Sequence, residues 1–257
     1  LERAMATVFD DRTQVLSLHA SHDDALAHLQ DAAAATGLHL DIQFRGSVDA
    51  IRALNEGRCM LAGFHTRQQP AARSHTARTY KPLLKPGRHK LIGFALRSVG
   101  LVVAPGNPLN ICSLADVAAR RARFVTRPQG TGTRVLLDEL LAEAGLHPDQ
   151  IEGYAATQPS HAAVAQAVAS GQADVGLAAA SAAHAAGLGF MPLLQERYQL
   201  VCLKSALDTP AVQALRKLLA TPAWHQTLLQ VPGYAADGCG EVKPMNRCLP
   251  WWAFKAP

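Results

Sequence analysis

Apolar positions along this chain follow two periods that take turns. Residues 15–18 (VLSL) read as a short strand ending at His19-Ala20-Ser21-His22-Asp23, and a helical spacing then runs over about 23–36 and stops at Gly37. The pattern repeats. Residues 38–44 (LHLDIQF) alternate as a strand does, Arg45-Gly46-Ser47 turns into a helix over about 48–55 closed by Gly57, and 59–64 is a third apolar strand running into His65. This β-α-β-α-β rhythm with short connections predicts an α/β protein built on a parallel sheet.

Residues 90–104 form a long apolar stretch interrupted by Arg97-Ser98 and closed by the turn Pro105-Gly106-Asn107-Pro108. Beyond it the pattern predicts a helix at 113–119, a strand at 123–126, a helix at 134–144 ended by Gly145, and a helix at 162–170 before Gly171. A strand at 173–177, a helix at 179–186, a strand at 198–203 and helices at 210–219 and 222–230 follow. The tail from Gly233, punctuated by Gly and Pro, is expected to wrap the surface. Two α/β units thus flank the 105–108 turn and predict two lobes. Open α/β sheets gather ligands at the carboxyl ends of their strands, so the cleft between the lobes is the expected site.

Composition narrows the picture. A chain of 257 residues suits one large domain or two lobes, and 49% hydrophobic residues allow a core, packed mostly around small side chains because aromatics are only 5%. No run approaches 18 uninterrupted apolar residues, which excludes a membrane span within the chain. Five scattered cysteines, an odd number (Cys59, Cys112, Cys202, Cys239, Cys248), argue against a secreted disulfide framework and for the cytoplasm. The net charge of +5 is dispersed; residues 67–90, the densest basic region, read as a solvated loop or, alternatively, a DNA contact. The start at Leu1 and the mixed pattern of residues 1–12 predict the end of a helix entering from a preceding module.

Four strand-to-helix junctions carry hydroxyls or glycines: Ser21, Ser47, the segment 127–134 and the segment 157–161. Each would offer free backbone N–H groups, a hydroxyl and the positive end of a helix dipole to an anion. For any single serine, plain helix capping competes with that role. Gly130-Thr131-Gly132-Thr133-Arg134 is the sharpest local signal, yet it matches neither a Walker loop nor a dinucleotide fingerprint, and a structural turn remains open. Arg127 and Arg134 could face an anion; either could instead pair with Asp138 or Glu139. No G-x-S-x-G elbow, H-E-x-x-H or Cys-x-x-Cys is present, so no catalytic or metal role is assigned. His65 and His161, at a strand end and a helix start, are better site candidates than the His19/His22 pair.

Several segments together have a familiar order: Ser21-His22-Asp23-Asp24-Ala25-Leu26, Gly46-Ser47-Val48-Asp49-Ala50-Ile51, Leu61-Ala62-Gly63-Phe64-His65, the run RPQGTGTRVLLD from Arg127, Ser160-His161-Ala162-Ala163-Val164-Ala165, and Gly171-Gln172-Ala173-Asp174-Val175-Gly176-Leu177. With Pro192-Leu193 and Glu196-Arg197-Tyr198, this resembles the periplasmic-binding-protein-like domain that follows winged helix-turn-helix modules in bacterial regulators and is also attached to molybdopterin-biosynthesis proteins. Thr126 stands where that family usually has Asn, and Ser160 where it commonly has Thr.

The resemblance implies a two-lobed type II periplasmic-binding-protein fold similar to LysR-type effector domains. Residues 1–12 would end a linker, 13–108 with 199–257 would form lobe I, and 109–198 lobe II. It implies a sensor of a small anion, molybdate or tungstate, or a small carboxylate such as formate. Ser21, Ser47 and the loop Gly130, Thr131, Gly132, Thr133 would hold the anion, with His65, Arg127 and Arg134 as further contributors and Ser160, His161 and Tyr198 on the other wall. It further implies DNA binding through an absent N-terminal helix-turn-helix and homo-oligomerisation; an enzyme, or an accessory domain of molybdenum cofactor synthesis, is a third reading that would need a catalytic constellation the sequence does not offer, and no cofactor or metal is expected. A periplasmic solute receptor for uptake is the alternative.

Overall fold

A computed structural model describes residues 14–252. The expected linker segment, 1–12, lies outside the described residues. The elements are β1 (Gln14–Ala20), α1 (Asp24–Ala34), β2 (Leu38–Phe44), α2 (Ser47–Asn55), β3 (Leu61–Arg67), α3 (His75–Tyr80), β4 (His89–Val103), α4 (Leu114–Ala119), β5 (Phe124–Val125) and α5 (Gly132–Glu143). They continue with α6 (His161–Ala169), β6 (Val175–Ala179), α7 (Ala180–Ala185), β7 (Gly189–Leu203), α8 (Pro210–Leu219), α9 (Pro222–Leu229), β8 (Tyr234–Ala235), β9 (Val242–Lys243) and α10 (Met245–Cys248).

The strands join in the order β2-β1-β3-β7-β4-β6-β5, with β8 and β9 also paired to β4. The sheet is mixed, not parallel as the rhythm predicted. β2-β1-β3 and β5-β6 are parallel, but β7 runs antiparallel to both β3 and β4, and β4 antiparallel to β6. The reason is the ribbon made by β4 and β7, paired along their full lengths. One end of the ribbon meets β3 through residues 196–202, and the other meets β6 through residues 99–103. Register shifts between Gly93 and Ala95 and between Val99 and Gly100 lie either side of the changeover. The two lobes therefore share these two strands.

Each lobe buries apolar side chains on both faces of its part of the sheet. Leu16, Leu18 and Leu40 pack under α1, α8 and α9, while Phe64, Ile51, Tyr80 and Trp251 fill the opposite face. Val99, Phe124, Leu137 and Leu177 form one core of the second lobe, and Val102, Val125, Val164 and Ala183 the other. Double coverage explains why residues 61–64 of β3 and the whole of β6 read as unbroken apolar runs.

Three expectations change. Residues 67–90 are not a solvated loop throughout: α3 lies within them and buries Thr76, Ala77 and Tyr80, with Leu84 beneath. β7 starts nine residues before the expected 198, because its first half is half-exposed and carries Pro192, which hides the strand period. The tail does more than wrap the surface, since Cys239, Met245, Leu249 and Trp251 are buried in the first lobe.

Candidate functional site

The first lobe offers the carboxyl ends of β1, β2 and β3. Asp23, not Ser21, caps α1, accepting from the Ala25 N–H at 3.0 Å. Gly46 occupies the cap position of α2, which leaves Ser47 on the first turn without a capping duty. Both serine side chains are buried, and their Oγ atoms lie 3.4 Å apart. For these two serines the capping alternative is therefore removed. It holds for two other candidates: Thr131 caps α5 through Arg134 N–H, and Ser160 caps α6 through Ala163 N–H.

The second lobe approaches closely. Gly130 has φ +82°, a backbone that L side chains rarely adopt, and its carbonyl accepts a hydrogen bond from Val48 N–H of α2 at 3.1 Å. A Cβ on Gly46 would lie 2.7 Å from that carbonyl oxygen. A Cβ on Gly132 would lie 3.0 Å from His65 Nδ1 and 3.3 Å from Ser47 Oγ. The glycines thus let the lobes touch backbone to backbone. Thr133 Oγ1 sits 3.4 Å from His161 Nε2, which brings the starts of α5 and α6 together with that of α2.

His161 Nδ1 accepts from Ala179 N–H at 3.2 Å, so the neutral ring carries its proton on Nε2 and points it toward Thr133. Burial, then the charges of Arg97 and Arg127, hold the His161 pKa well below the usual histidine value. His65 is held low in the same way, by burial and then by Arg97, His161 and Arg127. The His65 ring lies 4.0 Å from that of Tyr198, and among the described residues neither ring nitrogen of His65, nor the Tyr198 hydroxyl, has a hydrogen-bond partner. Burial pushes the Tyr198 hydroxyl far above its ordinary pKa, so it stays a donor.

Two arginines face this centre and differ sharply. Arg97, 1% exposed, donates to Asp23 Oδ2 at 2.6 Å and to Glu196 Oε2 at 2.8 Å, and Tyr234 Oη donates to the same Asp23 oxygen. Those carboxylates outweigh burial and raise the Arg97 pKa well above normal, while burial lifts Glu196 above its own ordinary value. Arg127 is 3% exposed and makes no hydrogen bond or ion pair among the described residues; its Nε is buried without a partner. Burial, then repulsion from Arg97, lowers its pKa to about 10. Leaving a buried guanidinium unpaired is costly, and natural interiors rarely do so.

The structure brings together Ser21, Ser47, His65, Gly132, Thr133, His161, Tyr198 and Arg127. Gly130 serves the lobe contact. Thr131 spends its hydroxyl on Pro128 O and the α5 cap, and Ser160 is a half-buried cap. Arg134 turns away: it pairs with Asp138 at 3.3 Å and lies 3.9 Å over the Tyr154 ring. Sequence reasoning missed Arg97 with its partners Asp23, Glu196 and Tyr234. Its signal was present, as a charge interrupting the apolar stretch at 90–104. No group of three or more potential metal-ligating side chains exists among the described residues.

A family model for the periplasmic-binding-protein (PBP) superfamily domain matches residues 28–220. The YvgK protein of Bacillus subtilis is 32% identical over 222 residues, covering 86% of this chain and 70% of its own length. A protein from the 5′ region of the 2Fe-2S ferredoxin gene of Clostridium pasteurianum is 31% identical over 109 residues, 42% of this chain and 96% of its own. Among solved structures, a tungstate ABC transporter protein from Geobacter sulfurreducens superposes with a TM-score of 0.63 at 13% identity, over 84% of this chain and 98% of that one. The regulatory domain of MetR, a LysR family regulator from N. meningitidis, gives 0.59 at 14%, over 86% and 97%. These neighbours share the fold, from transport and regulation alike, and no helix among the described residues is long and apolar enough to cross a membrane. The chain belongs to the PBP superfamily and is a ligand-binding domain of the two-lobed kind.

Proposed function

We propose that the interlobe cleft binds a small anion, an oxyanion or small carboxylate, and that this domain is the effector domain of a bacterial transcriptional regulator. The carrying observation is Arg127, buried within electrostatic reach of Arg97, His65 and His161 and without a hydrogen-bond or ion-pair partner among the described residues. An anion supplies the missing counter-charge, and the starts of α2, α5 and α6 add favourable dipoles of roughly 0.3–1 kcal/mol each. Ser21, Ser47 and Thr133 provide hydroxyl donors, Tyr198 another, and Thr131, Ser160 and Arg134 support the site through the backbone and packing. The contact of Gly130 with α2 ties binding to lobe closure, and a ligand shifts that equilibrium only by its preference for one state.

The five described cysteines are free and four are buried, which supports a reducing compartment and so the cytoplasmic regulator over the periplasmic solute receptor. In this reading an N-terminal helix-turn-helix contacts DNA as a homo-oligomer, and lobe closure sets its geometry. Calorimetric titration with phosphate, sulfate, molybdate, tungstate and formate tests the anion site, at an expected dissociation constant in the micromolar range, about 8 kcal/mol. Arg127→Met should abolish the heat. Equal binding by that variant would sink the reading.

A further inference from the structure

His65 sets a finer condition on the ligand. It projects from β3 toward the contact between Ser47 and Gly132, is 2% exposed, and both ring nitrogens lack a hydrogen-bond partner among the described residues. An imidazole without a second proton has one donor nitrogen and one acceptor nitrogen. The charges that act on it are those of Arg97 and Arg127, the Ser47 Oγ lies at the same Gly132 contact, and the Tyr198 ring packs 4.0 Å away; none of these supplies either nitrogen with a hydrogen bond. We propose that the ligand is an anion that also carries an O–H donor, of the hydrogenphosphate or bicarbonate class, with its O–H given to the acceptor nitrogen of His65 and its charged oxygens facing Arg127 and the hydroxyls.

The chemistry favours this over an acceptor-only oxyanion such as sulfate, molybdate or tungstate. Such an ion can accept the ring N–H but offers no donor to the other nitrogen, which stays a buried acceptor without a partner. Burial and the adjacent arginines resist the alternative remedy, a second proton on the ring. The loss per unpaired buried group corresponds to roughly 10- to 100-fold in affinity. This inference rests on the anion-binding reading and narrows it.

Matched pairs of equal shape make the test: phosphate against sulfate, and bicarbonate against nitrate, each titrated into the purified chain at pH 7.5 and constant ionic strength. The donor-bearing member of at least one pair should bind at least tenfold tighter than its partner. His65→Gln, which keeps a donor and an acceptor, should preserve that ratio, and His65→Leu should collapse it. If sulfate binds as well as phosphate and nitrate as well as bicarbonate, or if only formate, molybdate or tungstate binds, the O–H requirement is wrong while the anion site stands. If none of the four, nor formate, molybdate or tungstate, binds, the anion reading fails and this inference with it. The wild-type ratio decides even if a variant does not fold.

Discussion

Arg127→Met separates stability from function in opposite directions, and the size of both effects follows from the site. Burial lowers the Arg127 pKa to about 10, and that fall corresponds to about 3 kcal/mol of penalty for holding the charge inside, at 1.36 kcal/mol per pH unit. Methionine keeps an unbranched apolar stem, so most of the packing survives. Asp23 attracts Arg127 weakly and that attraction is lost, leaving a net gain of about 2 kcal/mol in the unliganded protein. For a domain of this size that raises Tm by about 4–8 °C. The sign with pH is simple. A base with a depressed folded pKa is charged in both states below about pH 10, so its penalty is constant there and the gain should be equal at pH 6 and pH 8. With ligand at 100 times its dissociation constant, the wild type gains about 2.7 kcal/mol and the variant should gain nothing. Differential scanning with and without saturating phosphate reads both quantities. A variant that melts lower than wild type without ligand, yet still shifts with it, would refute the argument that Arg127 is an unpaired charge reserved for an anion.

Other consequences concern the network, the lobe contact and acid stability. Arg97→Met strands Asp23 and Glu196 in the interior and should cost about 3–5 kcal/mol in urea unfolding at pH 7; adding Glu196→Gln should recover part of the loss, and no recovery would argue against the triad. Gly46→Ala places a Cβ 2.7 Å from the Gly130 carbonyl oxygen, so affinity should fall at least about tenfold, an overpacking cost of roughly 1–3 kcal/mol falling on closure. Unchanged calorimetric affinity would mean that this contact does not accompany binding. His65 and His161 have folded pKa values well below normal, and burial takes His89 to about 4. Their contribution is fully present above the unfolded value near 6.5 and is lost as pH falls below it, with a slope up to about 1.4 kcal/mol per pH unit for each ring. His161→Gln should flatten the stability profile between about pH 6 and pH 4.5; an unaltered slope would contradict the assignment.

The sequence by itself determined the local elements and the class of the fold. Residues 38–44 alternate and form β2 over that same span, and Gly37 and Gly145 stop the helices before them at positive φ. Such features are legible because helix hydrogen bonds and strand alternation repeat over a few residues. The motif run from Arg127 likewise pointed to the loop that meets α2. What the sequence left open was how each candidate side chain spends its polar groups. Ser21 and Ser47 look like caps, but Asp23 and Gly46 hold those positions; Arg134 and Arg127 look equivalent, but Asp138 and Tyr154 capture only the first. The Asp23–Arg97–Glu196 network joins residues far apart in the chain, and Tyr234 closes it from the tail. No local period records such partnerships. They exist only once β4 and β7 are paired in register and two lobes press together, because burial and the choice of counter-charge belong to the assembled interior.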